Sequence, residues 1–352
     1  MRLRCSASFG VPAAGAAAAG AAAFSLAGVL LLSALRLPGQ SLPITAKPAA
    51  AAKPASSEAK TWNQPRTPDG QPDLQGVWTN STLTPLERPA QFAGKEFLTE
   101  QEAADYVKRT LQQVNSDRRD GGTQVDVNRS YNEFWRDRGN DVVPDRRTSL
   151  IVDPPDGRVP PLTPQARRRV DATRAWMEEH ATDGPEGRAL TERCIAWTTA
   201  GPPMLPGPYN NDTQIVQGPG YVVILSEMIH DARVIPLDGR PHAGPQIREW
   251  MGDSRGHWEG NTLVVDTTNF SSEYSFRGSD TNLHLTERFT RVSPDVIQYE
   301  FTVDDPTAFT KPWTARIPFN KTNERVYEYA CHEGNYALMD ILAGARAAEK
   351  KK

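Results

Sequence analysis

The feature that most constrains the fold is a series of short strand-like segments over residues 214–331. Residues 296–303 alternate apolar and polar side chains, the period-2 pattern of a strand with one buried face. Residues 261–268 are rich in β-branched side chains, and turn residues separate such segments. This pattern predicts an antiparallel meander, either a lipocalin-like or calycin-like barrel or a strongly curved sheet. Gly76-Val77-Trp78 also matches the G-x-W pattern that opens lipocalin-like barrels.

Helices are predicted before and after the strand segments along the chain. A capping box begins the first, near residues 99–115, and a proline at the first helical position begins the second, near residues 163–182. A helix-like segment over residues 336–348 follows the strands. The predicted fold is therefore mainly β with flanking helices and long wrapping loops, in a single globular domain over residues 62–349.

The N-terminus predicts export. Arg2 and Arg4 precede a run from Phe9 to Leu35 that carries no charge, and a basic segment followed by an apolar one is the layout of a secretory signal. The length of this run also fits a membrane anchor that is not cleaved. We therefore predict a signal peptide or N-terminal membrane anchor over residues 1–42. The Pro- and Ala-rich residues 43–61 predict a disordered linker.

Cysteine use and net charge narrow the setting and the partners. Only Cys194 and Cys331 follow the apolar leader, and two cysteines in an exported domain are expected to form a disulfide, with two buried thiols as the alternative. The formal net charge of -3 gives no reason to expect a nucleic-acid partner. Membrane contact is expected only through the N-terminal segment, and no motif identifies a cofactor or an oligomeric state.

Three histidines adjoin carboxylates in or beside predicted turns and strand ends. Such pairs could supply an imidazole base and a carboxylate that orients it, and three histidines together could bind a metal ion. The alternative for each is an ordinary solvated or structural pair. No dinucleotide-binding, P-loop, H-E-x-x-H or G-x-S-x-G motif is present in the sequence. The candidate catalytic residues are His230, Asp231, His257, Glu259, His332 and Glu333.

A second set of residues could bind a ligand. Aromatic side chains in or beside irregular segments often line a pocket, although they also seal loops against a core. Charged residues in the strands, such as Glu287 and Arg288, could lie on the wet outer face, or could point inward, where burial would require pairing; Glu300 and Arg316 pose the same question. The candidate ligand-binding residues are Tyr131, Trp135, Trp250, Trp258, Arg288 and Tyr336.

Five longer motifs are distinctive when taken together. They are T-P-D-G-Q-P-D-L-Q-G-V-W (67–78), D-R-R-T-S-L-I-V-D-P-P-D-G-R (145–158), G-P-P-M (201–204), W-E-G-N-T-L-V-V (258–265) and Y-A-C-H-E-G-N-Y (329–336). On these motifs, the chain resembles a large family of uncharacterised exported bacterial proteins over nearly everything after the linker. The resemblance implies an envelope or secreted setting and implies no particular activity.

These observations predict an exported protein that binds a small, partly apolar molecule in a pocket rimmed by the loops of His230, His257 and His332. One alternative is a hydrolase or lyase of the envelope or environment that uses His and acid, or metal, chemistry. Another is an interaction scaffold whose long loops contact partners.

Overall fold

The computed structural model describes residues 62–129 and 132–351. The predicted leader (1–42), the predicted linker (43–61) and the candidate ligand-binding residue Tyr131 lie outside the described residues. Among the helices of the described part, none has both the length and the apolar character needed to cross a membrane.

The sheet dominates the domain, as the strand pattern predicts. It contains ten strands, all paired antiparallel within the described residues. The strands are β1 (Gly76–Thr79), β2 (Ile151–Asp153), β3 (Asp212–Gly218), β4 (Tyr221–Ser226), β5 (Ala232–Pro236), β6 (Asp253–Glu259), β7 (Thr262–Thr268), β8 (His284–Ser293), β9 (Val296–Asp304) and β10 (Trp313–Lys321).

Nine of these strands form one continuous path, in the order β5-β4-β3-β1-β10-β9-β8-β7-β6, and β2 pairs with β10 beside it. The path curls until its two edges, β5 and β6, lie next to each other, so the meander is nearly closed into a barrel. Side chains rather than backbone hydrogen bonds close this seam. A Cβ on Gly256 would lie 2.8 Å from Ile235 Cγ2 and 2.7 Å from Leu237 Cδ2, so only glycine lets the two edges approach so closely.

The barrel interior is a packed core. On β9, the residues that alternate with polar ones are completely buried, which confirms the period-2 prediction for this strand. Large aromatic side chains from β8, β9 and β10 fill the centre, and each contributes about 1.5–3 kcal/mol when it is removed from water. These interior aromatics are Phe289, Tyr299, Phe301, Trp313 and Phe319.

Four α-helices flank the sheet in the described residues. The first begins with the predicted capping box, in which Thr99 and Glu102 bond each other's backbone amides. Thr163 caps the third, which ends a few residues earlier than predicted. The helices are α1 (Glu100–Val114), α2 (Thr123–Asn128), α3 (Pro164–Glu179) and α4 (Ala337–Glu349).

One predicted strand is wrong. The sheet ends at Lys321, and residues 322–330 form no strand, although the main sheet was predicted to run to residue 331. The reason is that β9 lies on one side of β10 while β1 and β2 lie on the other, so a continuing strand has no open neighbour. Most residues of this segment are also exposed.

A disulfide joins Cys194 to Cys331 across a sequence separation of 137 residues, as predicted. It fastens the irregular C-terminal segment to the loop before β3. In the chain-entropy model, a cross-link of this span contributes about 5 kcal/mol. The disulfide is consistent with an oxidising extracytoplasmic compartment.

Candidate functional site

An ion pair crosses the interior of the barrel. Arg233 of β5 and Glu287 of β8 both point inward, and Arg233 Nη2 donates to Glu287 Oε1 at 3.0 Å. The Glu287 side chain is fully buried and that of Arg233 is 7% exposed. Because an unpaired charge at this depth would be very costly, each group depends on the other.

Two buried tyrosines lie near this pair, and one of them bonds it directly. Tyr299 donates its hydroxyl hydrogen to Glu287 Oε1 at 2.8 Å and accepts a hydrogen bond from the backbone N–H of Met204 at 3.1 Å. Tyr274 donates to the carbonyl of Pro202 at 3.2 Å. Burial raises the pKa of both phenols above the ordinary value, so each hydroxyl keeps its proton and can donate. The two tyrosines therefore bond the backbone of a loop that enters the barrel.

The loop consists of residues 200–205 and forms a plug segment in the barrel. Every one of its residues is buried, and Met204 and Leu205 belong to the same hydrophobic core as the barrel side chains. Ser226, the last residue of β4, donates from its hydroxyl to the carbonyl of Ala200 at 3.1 Å. The plug segment contains the G-P-P-M motif noted in the sequence, and it packs into the barrel end where β4 finishes.

A cavity of about 500 Å³ lies beside the plug segment. Its walls come from three stretches of chain, near residues 82–86, 205–207 and 275–277, with contributions from elsewhere. Its volume lies within the range of small-molecule sites. The lining residues are Thr82, Leu83, Thr84, Pro85, Leu86, Arg138, Leu150, Thr198, Leu205, Pro206, Gly207, Ser275, Phe276 and Arg277.

This lining combines an apolar wall with cationic and hydroxyl groups. Leu150, Leu205 and Phe276 are buried members of the hydrophobic core, so this part of the wall is fixed by packing. Arg138 and Arg277 supply the only charges among the lining residues. An apolar cavity with a few convergent polar groups is the usual form of a ligand site.

Three carboxyl groups near the same end of the sheet contrast with the interior ion pair. Burial, reinforced by the nearby Glu227 carboxylate, raises the pKa of Asp212 to about 7. Burial also raises the pKa of Glu227, and partial burial raises that of Asp137, which keeps an exposed surface. All three groups carry the same charge when they are ionised, so burial and their mutual repulsion favour the protonated forms.

Across the described residues, no three His, Cys, Asp or Glu side chains are arranged to hold a metal ion.

A histidine cluster that the sequence patterns did not predict lies on the outer face of the sheet. His242 lies between two carboxylates, with Nδ1 3.2 Å from Asp253 and Nε2 2.8 Å from Asp266. His284 Nε2 contacts the second oxygen of Asp266 at 2.5 Å, and this hydrogen bond raises the pKa of His284. These contacts hold the loop before β6 against the sheet.

The predicted catalytic residues fall into separate groups. His230 and Asp231 lie in the turn between β4 and β5, where burial raises the pKa of Asp231 and His230 opposes that shift. His257 Nε2 lies 3.1 Å from Glu259 Oε1, on exposed side chains of β6. His332 and Glu333 are exposed beside the disulfide.

None of these six residues lines the cavity beside the plug segment. A second cavity, of about 440 Å³, lies between α4 and the disulfide, and its lining includes Cys331 but none of the six.

The predicted ligand-binding residues are also dispersed. Arg288 bonds Glu259 at 2.7 Å on the outer face of the sheet. Trp135 is 61% exposed and Tyr336 is 67% exposed. Trp250 and Trp258 pack against the hydrophobic core. Their position agrees with the alternative that such aromatic side chains seal loops against the core.

The alternation of inward- and outward-facing residues in a strand could have identified the Arg233–Glu287 pair from the sequence. Leu285, Glu287 and Phe289 alternate with more exposed residues, so the period-2 rule places Glu287 among inward-facing positions. Arg233 precedes Ile235 at the same parity in β5. The arginines of the cavity have no such signal, because they lie in loops.

Comparison with models of protein families finds no match, and no curated protein is similar enough to count as a relative.

Proposed function

We propose that this protein is exported and binds a small, partly apolar molecule in the cavity beside the plug segment. The observation that carries this proposal is the cavity itself, with its volume of about 500 Å³, buried apolar wall and convergent polar groups. A wall formed by core residues is already in place before a ligand arrives, which lowers the entropic cost of binding.

The backbone around the cavity supports a site that exists before binding. Leu83 N–H donates to the carbonyl of Asp141 at 2.8 Å, and Leu205 N–H donates to that of Thr198 at 2.9 Å. Phe276 and Ser279 exchange two backbone hydrogen bonds at 3.0 Å, which close the turn that contributes the third wall. All three wall segments are therefore held by bonds that a ligand does not need to form.

Export is supported by independent observations. The basic and then apolar leader has the layout of a secretory signal, and the Cys194–Cys331 disulfide suits an oxidising compartment. The motif resemblance to exported bacterial proteins agrees with both.

In this proposal, arginines and hydroxyl side chains supply the polar groups of the cavity. The hydrolase and scaffold alternatives stay predictions.

Two tryptophan variants test the binding proposal. Thr198 and Ser275 are exposed residues of the cavity lining, so Thr198→Trp and Ser275→Trp should fill the cavity without disturbing the core. Native mass spectrometry of the purified full-length protein should detect a small molecule that co-purifies with the wild type. We expect each variant to weaken binding at least about tenfold, the change in Kd that about 1.4 kcal/mol produces, and therefore to lower the occupancy of the co-purified molecule.

Ser272→Trp is the matched control, because Ser272 is exposed nearby but does not line the cavity. It should retain wild-type occupancy. If the co-purified molecule stays bound in both cavity variants, or if Ser272→Trp loses it equally, the cavity is not the binding site.

A further inference from the structure

The cavity also carries a chemical preference. We propose that it selects molecules with a carboxylate on an apolar body, and this inference rests on the proposed binding function. Two guanidinium groups, those of Arg138 and Arg277, line the cavity, and none of its lining residues is acidic. A site with two cations and no lining anion is matched by a negatively charged group.

Arg277 keeps donors available for such a group. Its Nη1 donates to Glu87 Oε1 at 3.2 Å, a contact in which both side chains are 38% exposed. An arginine has five N–H donors in a planar fork, so one exposed contact leaves most of them for a second partner. A ligand carboxylate can therefore be bound without displacing Glu87.

The backbone of Arg277 is held in an unfavourable conformation. Its φ is +56°, in the left-handed region that is unfavourable for a residue with a Cβ. The next residue, Gly278, has φ +100°, and a Cβ there would lie 3.0 Å from Leu162 Cδ2, so this position of the turn requires glycine. Unfavourable backbone conformations are found often at binding sites, and here one places Arg277 at the edge of the cavity.

Arg138 is a less hydrated cation. Its side chain is 15% exposed, and its Nη2 lies 3.6 Å from Glu133 Oε2, beyond hydrogen-bond length. Its Nη1 donates to the carbonyl of Val114 at 2.6 Å. Burial lowers the pKa of Arg138, while the Glu133 carboxylate opposes that shift. An anion in the cavity would add to the compensation that Glu133, 3.6 Å away, gives in part.

The rest of the lining defines the body of the ligand. Leu83, Leu86, Leu150, Leu205 and Phe276 present hydrocarbon to the cavity. A sugar or a free phosphate would leave this surface without partners, whereas an alkyl or aryl chain would bury it. The hydroxyls of Thr82, Thr84, Thr198 and Ser275 add polar groups to the same lining.

Calorimetric titration of the full-length protein tests this preference with three acid–amide pairs. The probes are octanoate, 4-phenylbutyrate and 3-cyclohexylpropionate, each compared with its primary amide. At least one acid should bind about tenfold or more tightly than its amide, and added NaCl should weaken the acid alone. Arg277→Gln should remove most of this acid preference and leave amide binding unchanged.

Arg277→Gly guards against a folding artefact, because glycine accepts φ +56° without strain. It should melt no lower than the wild type and should also lose the acid preference. Arg288→Gln is the control, since Arg288 bonds Glu259 outside the cavity, and it should bind all six probes as the wild type does.

The outcomes separate the two proposals. If every amide that binds does so as tightly as its acid, and Ser275→Trp abolishes both, the carboxylate preference is overturned while binding in the cavity stands. If no probe binds and Ser275→Trp leaves the co-purified molecule in place, both proposals fail. An acid preference that survives in Arg277→Gln and in Arg277→Gly also overturns the inference.

Discussion

Two groups of buried charges show how differently one sheet treats them. In the barrel interior, Arg233 and Glu287 have opposite charges, and Tyr299 supplies a further hydrogen bond to the carboxylate. Near the ends of β3 and β4, Asp212 and Glu227 are like charges, and no cation is among the groups that shift their pKa values. Burial is similar in both places. What differs is the partner, so the first group should be held as ions and the second should favour protons.

Breaking the interior pair should give the largest effect on stability. Glu287→Gln keeps the shape of the side chain but leaves the Arg233 charge buried without a counter-ion. We expect the free energy of unfolding to fall by about 3–5 kcal/mol, measured by urea denaturation.

Two further variants check that prediction. Glu300→Gln breaks a partly exposed pair with Arg316 and should cost only about 0–1 kcal/mol. The double variant Arg233→Met/Glu287→Met removes both charges and should recover much of the loss. Equal losses in Glu287→Gln and Glu300→Gln would mean that burial of the pair is energetically unimportant.

In contrast to the interior pair, the carboxyl groups of Asp212 and Glu227 should give a gain in stability when one charge is removed. The native state raises the pKa of Asp212 from 3.8 to about 7, so folding favours the protonated form. The cost of Asp212 to stability is therefore greatest above pH 7 and declines as the pH falls toward 4. Asp212→Asn should stabilise the protein at pH 8 by at most about 4 kcal/mol, and the gain should shrink steadily at lower pH.

Melting curves at pH 8, 6 and 4 test this dependence. Asp238→Asn is the control, because Asp238 is an exposed carboxylate that bonds Arg240 and its pKa is lowered by that bond. It should show no gain at pH 8. An Asp212→Asn variant that is less stable than the wild type at pH 8 would contradict the proposed repulsion.

The smallest effect should come from the two buried tyrosines that bond the backbone of the plug segment. Tyr299→Phe removes one donated and one accepted hydrogen bond, and Tyr274→Phe removes one donated bond. We expect losses of about 1–3 kcal/mol for Tyr299→Phe and about 1 kcal/mol for Tyr274→Phe in urea denaturation. A larger loss for Tyr274→Phe would reverse the assigned order of importance.

The two predictions of helix and strand that relied on local patterns succeeded for a clear reason. The capping box at Thr99 and the alternation over residues 296–303 depend on neighbours in sequence, so the local chain determines them. The predicted continuation of the sheet from Lys321 to residue 331 failed because pairing requires a free neighbouring strand, and β10 already has neighbours on both sides. Local sequence does not carry that information.

The candidate site divides in the same way. The alternation of residues in β5 and β8 could have oriented Arg233 and Glu287 inward, but the sequence analysis left Glu287 open and did not single out Arg233, and only the curvature of the sheet brings these distant strands face to face. The cavity is assembled from loops separated by up to nearly two hundred residues, so no pattern joined Arg138 to Arg277. The histidines in conspicuous sequence settings belong to other parts of the surface.

The sequence by itself determined the mainly β class, the capped helices, the leader pattern and the two cysteines that bond, because each depends on composition or on neighbouring residues. Only the tertiary structure decided which strands meet at the seam, which charges face each other across the interior, and where an apolar wall meets two arginines. Those properties depend on residues that are far apart in sequence, and the closing of the sheet is what brings them within range of hydrogen bonds and packing.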